Sequence, residues 1–225
     1  MAGSWRMKDV VAGVPVVAMA GLLCCLNSIS QAPIPAYVPE KEILRQVWMG
    51  QLVSLPIYLL PLGVGLAVRG EIRATLSRWF TWPAGGKNGW WRIFRRGALA
   101  FLFLLAGVIS LVAAVGPQED QMVIQLLARL SASTLVWLFL PFAVVVPVVE
   151  EMLFRGILLE TGPARWSVWA SAGCFALAHG VNGFLLPLFF FGVVLGLIAA
   201  RQRTLVPGIL FHALFNGLNL LLLFL

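Results

Sequence analysis

Long apolar runs separated by short polar connections set the pattern of this chain. They extend from Val10 to Asn27, Val47 to Val68, Ala98 to Val115, Thr134 to Leu159, Trp166 to His179, Leu185 to Ala200 and Leu205 to Leu225. About 20 predominantly apolar residues suffice for a helix to cross the hydrocarbon core. In lipid every backbone polar group must be satisfied within the structure, which leaves helical bundles and closed barrels. Barrel strands alternate apolar and polar residues, whereas these runs are continuous. The pattern predicts an all-α, polytopic transmembrane bundle of about seven helices, a single integral membrane domain covering residues 1–225. A shorter amphipathic segment follows Pro117 and ends near Ser133.

Composition agrees with this pattern: of 225 residues, 60% are hydrophobic and 11% charged, where a soluble domain carries about 25%. The net charge of +7 points to topology rather than to nucleic acid, because the basic residues lie mostly between the runs. The connection from Arg69 to Gly97 holds Arg69, Arg73, Arg78, Lys87, Arg92, Arg95 and Arg96, which puts it and the N-terminus on the cytoplasmic side. Alternation then assigns Arg155 with Arg165, and Arg201 with Arg203, to later cytoplasmic turns. The stretch with Pro33, Pro35 and Pro39, the pair Glu119–Asp120, and the Gly180–Phe184 turn fall on the opposite side. Trp79, Trp82, Trp90, Trp91 and Trp166 suit an interfacial belt. Arg6 and Lys8 ahead of the first run also fit a signal peptide. No clean small-x-small cleavage site follows, so the run is read as a retained helix. Cys24, Cys25 and Cys174 have neither metal-site nor disulfide spacing.

Ionisable groups inside a membrane are costly and by default mark function. Of the nine acidic residues, all but Glu150 and Glu151 sit in or beside connections, and both histidines, His179 and His212, lie in apolar runs. Glu151 and Arg155 are spaced i, i+4 and share a helix face, so they can pair. Glu150 is turned about 100° away, free of that partner, and is the candidate reactive carboxylate. Pro147 removes a backbone hydrogen bond just before them and predicts a kink. Phe175 and His179 are also i, i+4, as are His212 and Asn216. At ~1.5 Å per residue, Glu150 lies ~15 Å from the end of its run at Glu160, and His212 ~12 Å beyond Thr204, so convergence near mid-membrane is allowed. Gly192 and Gly196 form a GxxxG that permits close helix packing.

Three motifs follow in order through consecutive apolar segments: Glu150-Glu151-Met-Leu-Phe-Arg155 (EExxxR), Phe175-Ala-Leu-Ala-His179 (FxxxH) and His212-Ala-Leu-Phe-Asn216 (HxxxN). Together they resemble the CPBP family, the CAAX proteases and bacteriocin-processing (Abi) enzymes, over a family-like catalytic part at about 134–225. The resemblance implies an intramembrane glutamate endopeptidase. In that scheme Glu150 and His179 activate a water, His212 and Asn216 form an oxyanion hole, and Glu151, Arg155 and Phe175 support them. A buried carboxylate suits a general base, and side-chain donors stabilise an oxyanion strongly where water is scarce. The chain is short for the family and lacks any evident eukaryotic feature. The expectation is therefore a bacterial inner-membrane enzyme, opening toward the cytoplasm and trimming membrane-anchored peptides or proteins such as sorting tails or bacteriocin leaders.

Other readings stay open on the sequence. Glu150, His179 and His212 together make a two-His-one-carboxylate set of the kind found in catalytic zinc sites, although the expected enzyme needs no cofactor. A non-enzymatic immunity protein or membrane scaffold could keep the same residues. A proton-coupled transporter would predict an internal repeat, and none is visible. The partners expected are the lipid bilayer and a membrane-anchored substrate, with no nucleic acid. Nothing in the sequence specifies substrate, cleavage position or oligomeric state.

Overall fold

The structure, a computed structural model, describes residues 7–29, 38–82, 91–93, 95, 97, 129–161, 164–181 and 183–222. It is all-helical over these residues. Helix α1 spans Met7–Ile29, α2 Glu40–Arg69 and α3 Ile72–Trp79. Helix α4 is a composite: Ala132–Leu140, a wide π turn at Pro141–Val145, regular helix at Val146–Glu151, a second wide turn at Met152–Leu158, and a closing 3-10 turn at Leu159–Thr161. Helices α5, α6 and α7 are Ala164–Ala178, Leu185–Gln202 and Val206–Leu222. Among the described residues four helices are long and apolar enough to cross a membrane, and two shorter apolar ones accompany them. The expected run Ala98–Val115 and most of the segment after Pro117 lie outside the described residues.

The outward surface is lipid-like. Leu52, Leu60, Val136, Trp137 and Leu186 are all well exposed, as the absence of water in the hydrocarbon layer permits. The core gathers α1, α4, α5 and α6 around Phe154, Ile157, Phe175 and Leu195. Gly192 lies against the Ala172 backbone and Gly196 against Val168, so the GxxxG is where α6 meets α5, as small-xxx-small packing requires.

Helices α2 and α4 run in the same direction and are pinned at both ends. At the start, Glu40 accepts hydrogen bonds from the Ser131 backbone N–H at 3.0 Å, the Ser131 hydroxyl at 2.6 Å and the Thr134 hydroxyl at 2.5 Å. At the far end, Arg69 donates to the carbonyls of Gly156 at 3.1 Å and Ile157 at 2.8 Å, and to the Glu160 carboxylate at 2.5 Å. The last carbonyls of a helix have no partner within it, and Arg69 supplies one from another helix. Asp9 of α1 completes the group, 3.9 Å from Arg69 Nε.

Three details depart from the expectations of the sequence. Arg69 and Arg155, counted as connection charges, are 7% and 1% exposed; each neutralises a buried carboxylate or helix end rather than marking a loop. Trp79 does not face outward either. It is 1% exposed, its ring covers Gly156, and its indole N–H donates to Glu160 at 3.2 Å. Trp82, Trp91 and Trp166 are exposed, as a belt requires. The third detail is at Pro147, which a wide turn precedes. Val146 N–H bonds the Pro141 carbonyl, five residues back. In that register the N–H that would reach Phe142 O belongs to residue 147, which as proline has none.

Gly156 has no room for a side chain, because an added Cβ would sit 2.6 Å from the Trp79 ring. We expect Gly156→Ala to destabilise the protein by about 1–3 kcal/mol, read as a lower thermal unfolding midpoint in detergent micelles.

Candidate active site

The regular segment Val146–Glu151 carries both glutamates inward; Glu150 is 2% and Glu151 0% exposed. Each then meets different partners. Glu151 Oε1 accepts from Arg155 at 3.0 Å and lies 3.1 Å from His212 Nδ1. Arg155 also donates to the Gly192 carbonyl at 3.1 Å and lies over the Phe175 ring, 4.5 Å from its centroid. The missing side chain at Gly192 allows α6 to bring that carbonyl into the core. Gly208 does the same for α7: a Cβ there would fall 2.9 Å from Glu151 Oε2. The Glu151–Arg155 pair expected from the spacing is thus present, and it is also bonded to α6 and α7.

Glu150 has no arginine. Its Oε1 accepts from the Tyr58 hydroxyl at 3.1 Å and lies 3.9 Å from His179 Nε2. Its Oε2 lies 3.6 Å from His212 Nε2 and has no hydrogen-bond partner. Both imidazole distances exceed direct hydrogen bonding and suit a bridging water. The carboxylate therefore faces an imidazole on either side.

Neighbours fix the imidazole tautomers. His179 Nδ1 is 2.8 Å from the Phe175 carbonyl; a carbonyl only accepts, so Nδ1 carries a proton and Nε2 faces Glu150. His212 Nδ1 meets a Glu151 oxygen that already accepts from Arg155, so Nδ1 donates there too and Nε2 faces Glu150. Phe175 packs between these groups, its centroid 4.7 Å from the His179 ring and 5.5 Å from that of His212. Phe191 meets the other edge of His212 at 5.5 Å. His212 is buried, whereas the His179 side chain, at the end of α5, is 24% exposed and forms the accessible edge.

The structure thus gathers Glu150, Glu151, Arg155, Phe175, His179 and His212. Asn216, one turn beyond His212, is engaged elsewhere: its amide donates to the Phe142 carbonyl at 3.0 Å, the carbonyl that Pro147 leaves without a helical donor. An amide nitrogen carries two hydrogens, and this bond uses one of them. The sequence reading missed Tyr58 and Gly208, and placed Gly192 only in a helix-packing motif. A tyrosine amid an apolar helix was a weak signal for the first, since the chain has only two tyrosines. Nothing in the pattern could have signalled which glycine meets which side chain. Among the described residues no group of three His, Cys, Asp or Glu side chains is arranged to hold a metal ion.

Helices of membrane-spanning length thus bring paired glutamates and two imidazoles together. Residues 132–218 match the family model described as Rce1-like, type II CAAX prenyl endopeptidase Rce1-like. That segment contains all three motifs, and over it the chain is similar to the type II CAAX prenyl endopeptidases. The family implies a peptidase, acting on membrane-associated substrates. No curated protein and no solved structure matches the chain.

Removing one partner of a buried ion pair leaves an uncompensated charge, at a cost of about 3–5 kcal/mol. Arg155→Met should therefore destabilise the protein by about that amount, measured by heat denaturation in micelles. Arg155→Met combined with Glu151→Leu should recover much of the loss.

Proposed function

We propose that this chain is an intramembrane endopeptidase that hydrolyses peptide bonds of membrane-anchored peptides or proteins with a water activated by Glu150. The observation that carries the reading is the Glu150 carboxylate, 2% exposed and without a cationic side chain of its own, facing one imidazole at 3.9 Å and another at 3.6 Å. Both ring nitrogens turned toward it are Nε2, because each Nδ1 is committed to a carbonyl or to Glu151. A water between Glu150 and His179 donates one hydrogen to Oε1 and the other to the His179 lone pair.

In the reaction, Glu150 takes a proton as the water oxygen bonds to the substrate carbonyl carbon. We assign the oxyanion hole to His212 and to the second amide hydrogen of Asn216, with the Glu151 carboxylate accepting at His212 Nδ1. When the carbon–nitrogen bond breaks, the proton held by Glu150 passes to the leaving amine. General acid–base catalysis is worth about 10²–10⁴-fold, and a single oxyanion donor about 10²–10³-fold. This chemistry needs no metal ion. We place the Arg69–Gly97 connection in the cytoplasm of a bacterial inner membrane, on the strength of its basic residues.

The test uses the chain reconstituted in proteoliposomes. The probe is a quenched-fluorescent peptide library with a C-terminal lipid anchor, prenylated CAAX members included. Glu150→Gln should lower cleavage about 10²–10⁴-fold without changing the unfolding midpoint. Cleavage should persist after dialysis against a strong chelator. Loss of activity that zinc restores would replace this mechanism with a zinc one, and cleavage undiminished in Glu150→Gln would sink both. A scaffold or immunity role predicts a phenotype that survives Glu150→Gln.

A further inference from the structure

The proposed base is held by a residue outside the segment that matches the family. Tyr58 belongs to α2, far from residues 132–218 in the chain. Its hydroxyl donates to Glu150 Oε1 at 3.1 Å. The contact is built into the packing of α2 on α4. Tyr58, Leu62, Gly65 and Arg69 recur at the spacing of one helix face. Leu62 and Tyr58 pack on the main core, a Cβ at Gly65 would fall 3.0 Å from the Ile157 side chain, and Arg69 binds the carbonyls of Gly156 and Ile157. At the other end of the helix Glu40 is bonded to Ser131 and Thr134. With both ends of the helix pair fixed, the height of Tyr58 beside Glu150 is fixed as well.

Tyr58 also settles which carboxylate oxygen does what. A carboxylate on a flexible glutamate stem can rotate and exchange its oxygens. The Tyr58 donor marks Oε1, which is the oxygen on the His179 side. Oε2 is thereby turned to His212. The second lone pair of Oε1 remains for a water on the His179 side. We propose that Tyr58 is a positioning residue for the general base: it orients the Glu150 carboxylate toward the water held with His179 and maintains that orientation through turnover. This rests on the endopeptidase reading above.

Tyr58→Phe removes one oxygen and keeps the ring, so packing is conserved. Loss of a hydrogen bond to a charged group corresponds to about 10–100-fold in a rate. The expectation, with the same lipid-anchored peptide library in proteoliposomes, is a fall in kcat of that size with KM unchanged and a displaced pH profile of kcat. In a Glu150→Gln background the same substitution should cause no further loss, because the group it positions is gone. Tyr58→Leu, which also removes the ring, serves as the packing control: it should lower the unfolding midpoint and fall in kcat no less than Tyr58→Phe. Full kcat and an unmoved profile in Tyr58→Phe would overturn the inference, as would an equal loss in the presence and absence of Glu150. If Glu150→Gln itself cleaves normally, the endopeptidase reading fails, and Tyr58 fails with it. If Glu150→Gln is inactive and Tyr58→Phe is not, only the role of Tyr58 is lost.

Discussion

A guanidinium and a carboxylate placed in a lipid-facing bundle must find each other or the bundle does not form. Arg155 and Glu151, both without solvent contact, meet this requirement, and the rest of the site is arranged about them. Isolated charges in such surroundings cost far more than the whole stability of a domain. Their mutual attraction offsets that only where the remaining hydrogen-bonding capacity is used. Arg155 reaches the Gly192 carbonyl and Glu151 accepts from His212 Nδ1, while Arg155 Nε and Glu151 Oε2 are left without partners. Three helices converge on one ion pair. Glycine at 208 leaves space for Glu151 beside α7, and glycine at 192 lets α6 lie against Ala172 of α5.

Glu150 is the exception within this arrangement. One position earlier in the same helix, it is equally buried and meets a phenol and two imidazoles instead of a cation. Helical geometry produces the division, since consecutive residues point about 100° apart. One glutamate is paired with a cation and the other is not, and each keeps one buried oxygen without a hydrogen-bond partner. A carboxylate in that condition is costly to maintain, and such costs are characteristic of functional sites in membranes. Both glutamates lie within residues 132–218, the segment that matches the family model.

The prolines of α4 show how irregular backbone can be put to use. Pro147 cannot donate, so the preceding turn widens and the Phe142 carbonyl is left to a side chain on another helix. At the other end of α4 the second wide turn presents the carbonyls of Gly156 and Ile157 to Arg69. Wide turns within α-helices often accompany functional sites. Here they flank the short regular segment that carries both glutamates. The backbone groups they release attach α4 to α7 and α2, which stiffens the site from both sides.

Much of this was legible without coordinates. Continuous apolar runs specify membrane helices because lipid leaves the backbone no other solution, and the spacing Glu151-x-x-x-Arg155 specifies a pair because residues four apart share a helix face. The costly placement of Glu150, His179 and His212 marked the site for the same local reason. Other features belong to no local rule. That Tyr58 meets Glu150, that Gly192 offers its carbonyl to Arg155, and that Trp79 covers Gly156 rather than facing outward depend on how helices distant in sequence lie against each other. Arg69 and Arg155 read as loop charges because positive charge in or near connections is topogenic on average. Only the packing shows that Arg69 binds buried carbonyls, whereas the spacing already paired Arg155 with Glu151. Asn216 was recognisable by its spacing from His212, but its bond to Phe142 required the wide turn that Pro147 imposes on a separate helix. The sequence by itself determined the helices and which groups are costly to bury. The tertiary structure alone decided which partners meet that cost, because partner choice is a matter of distances between helices and not of periodicity within one.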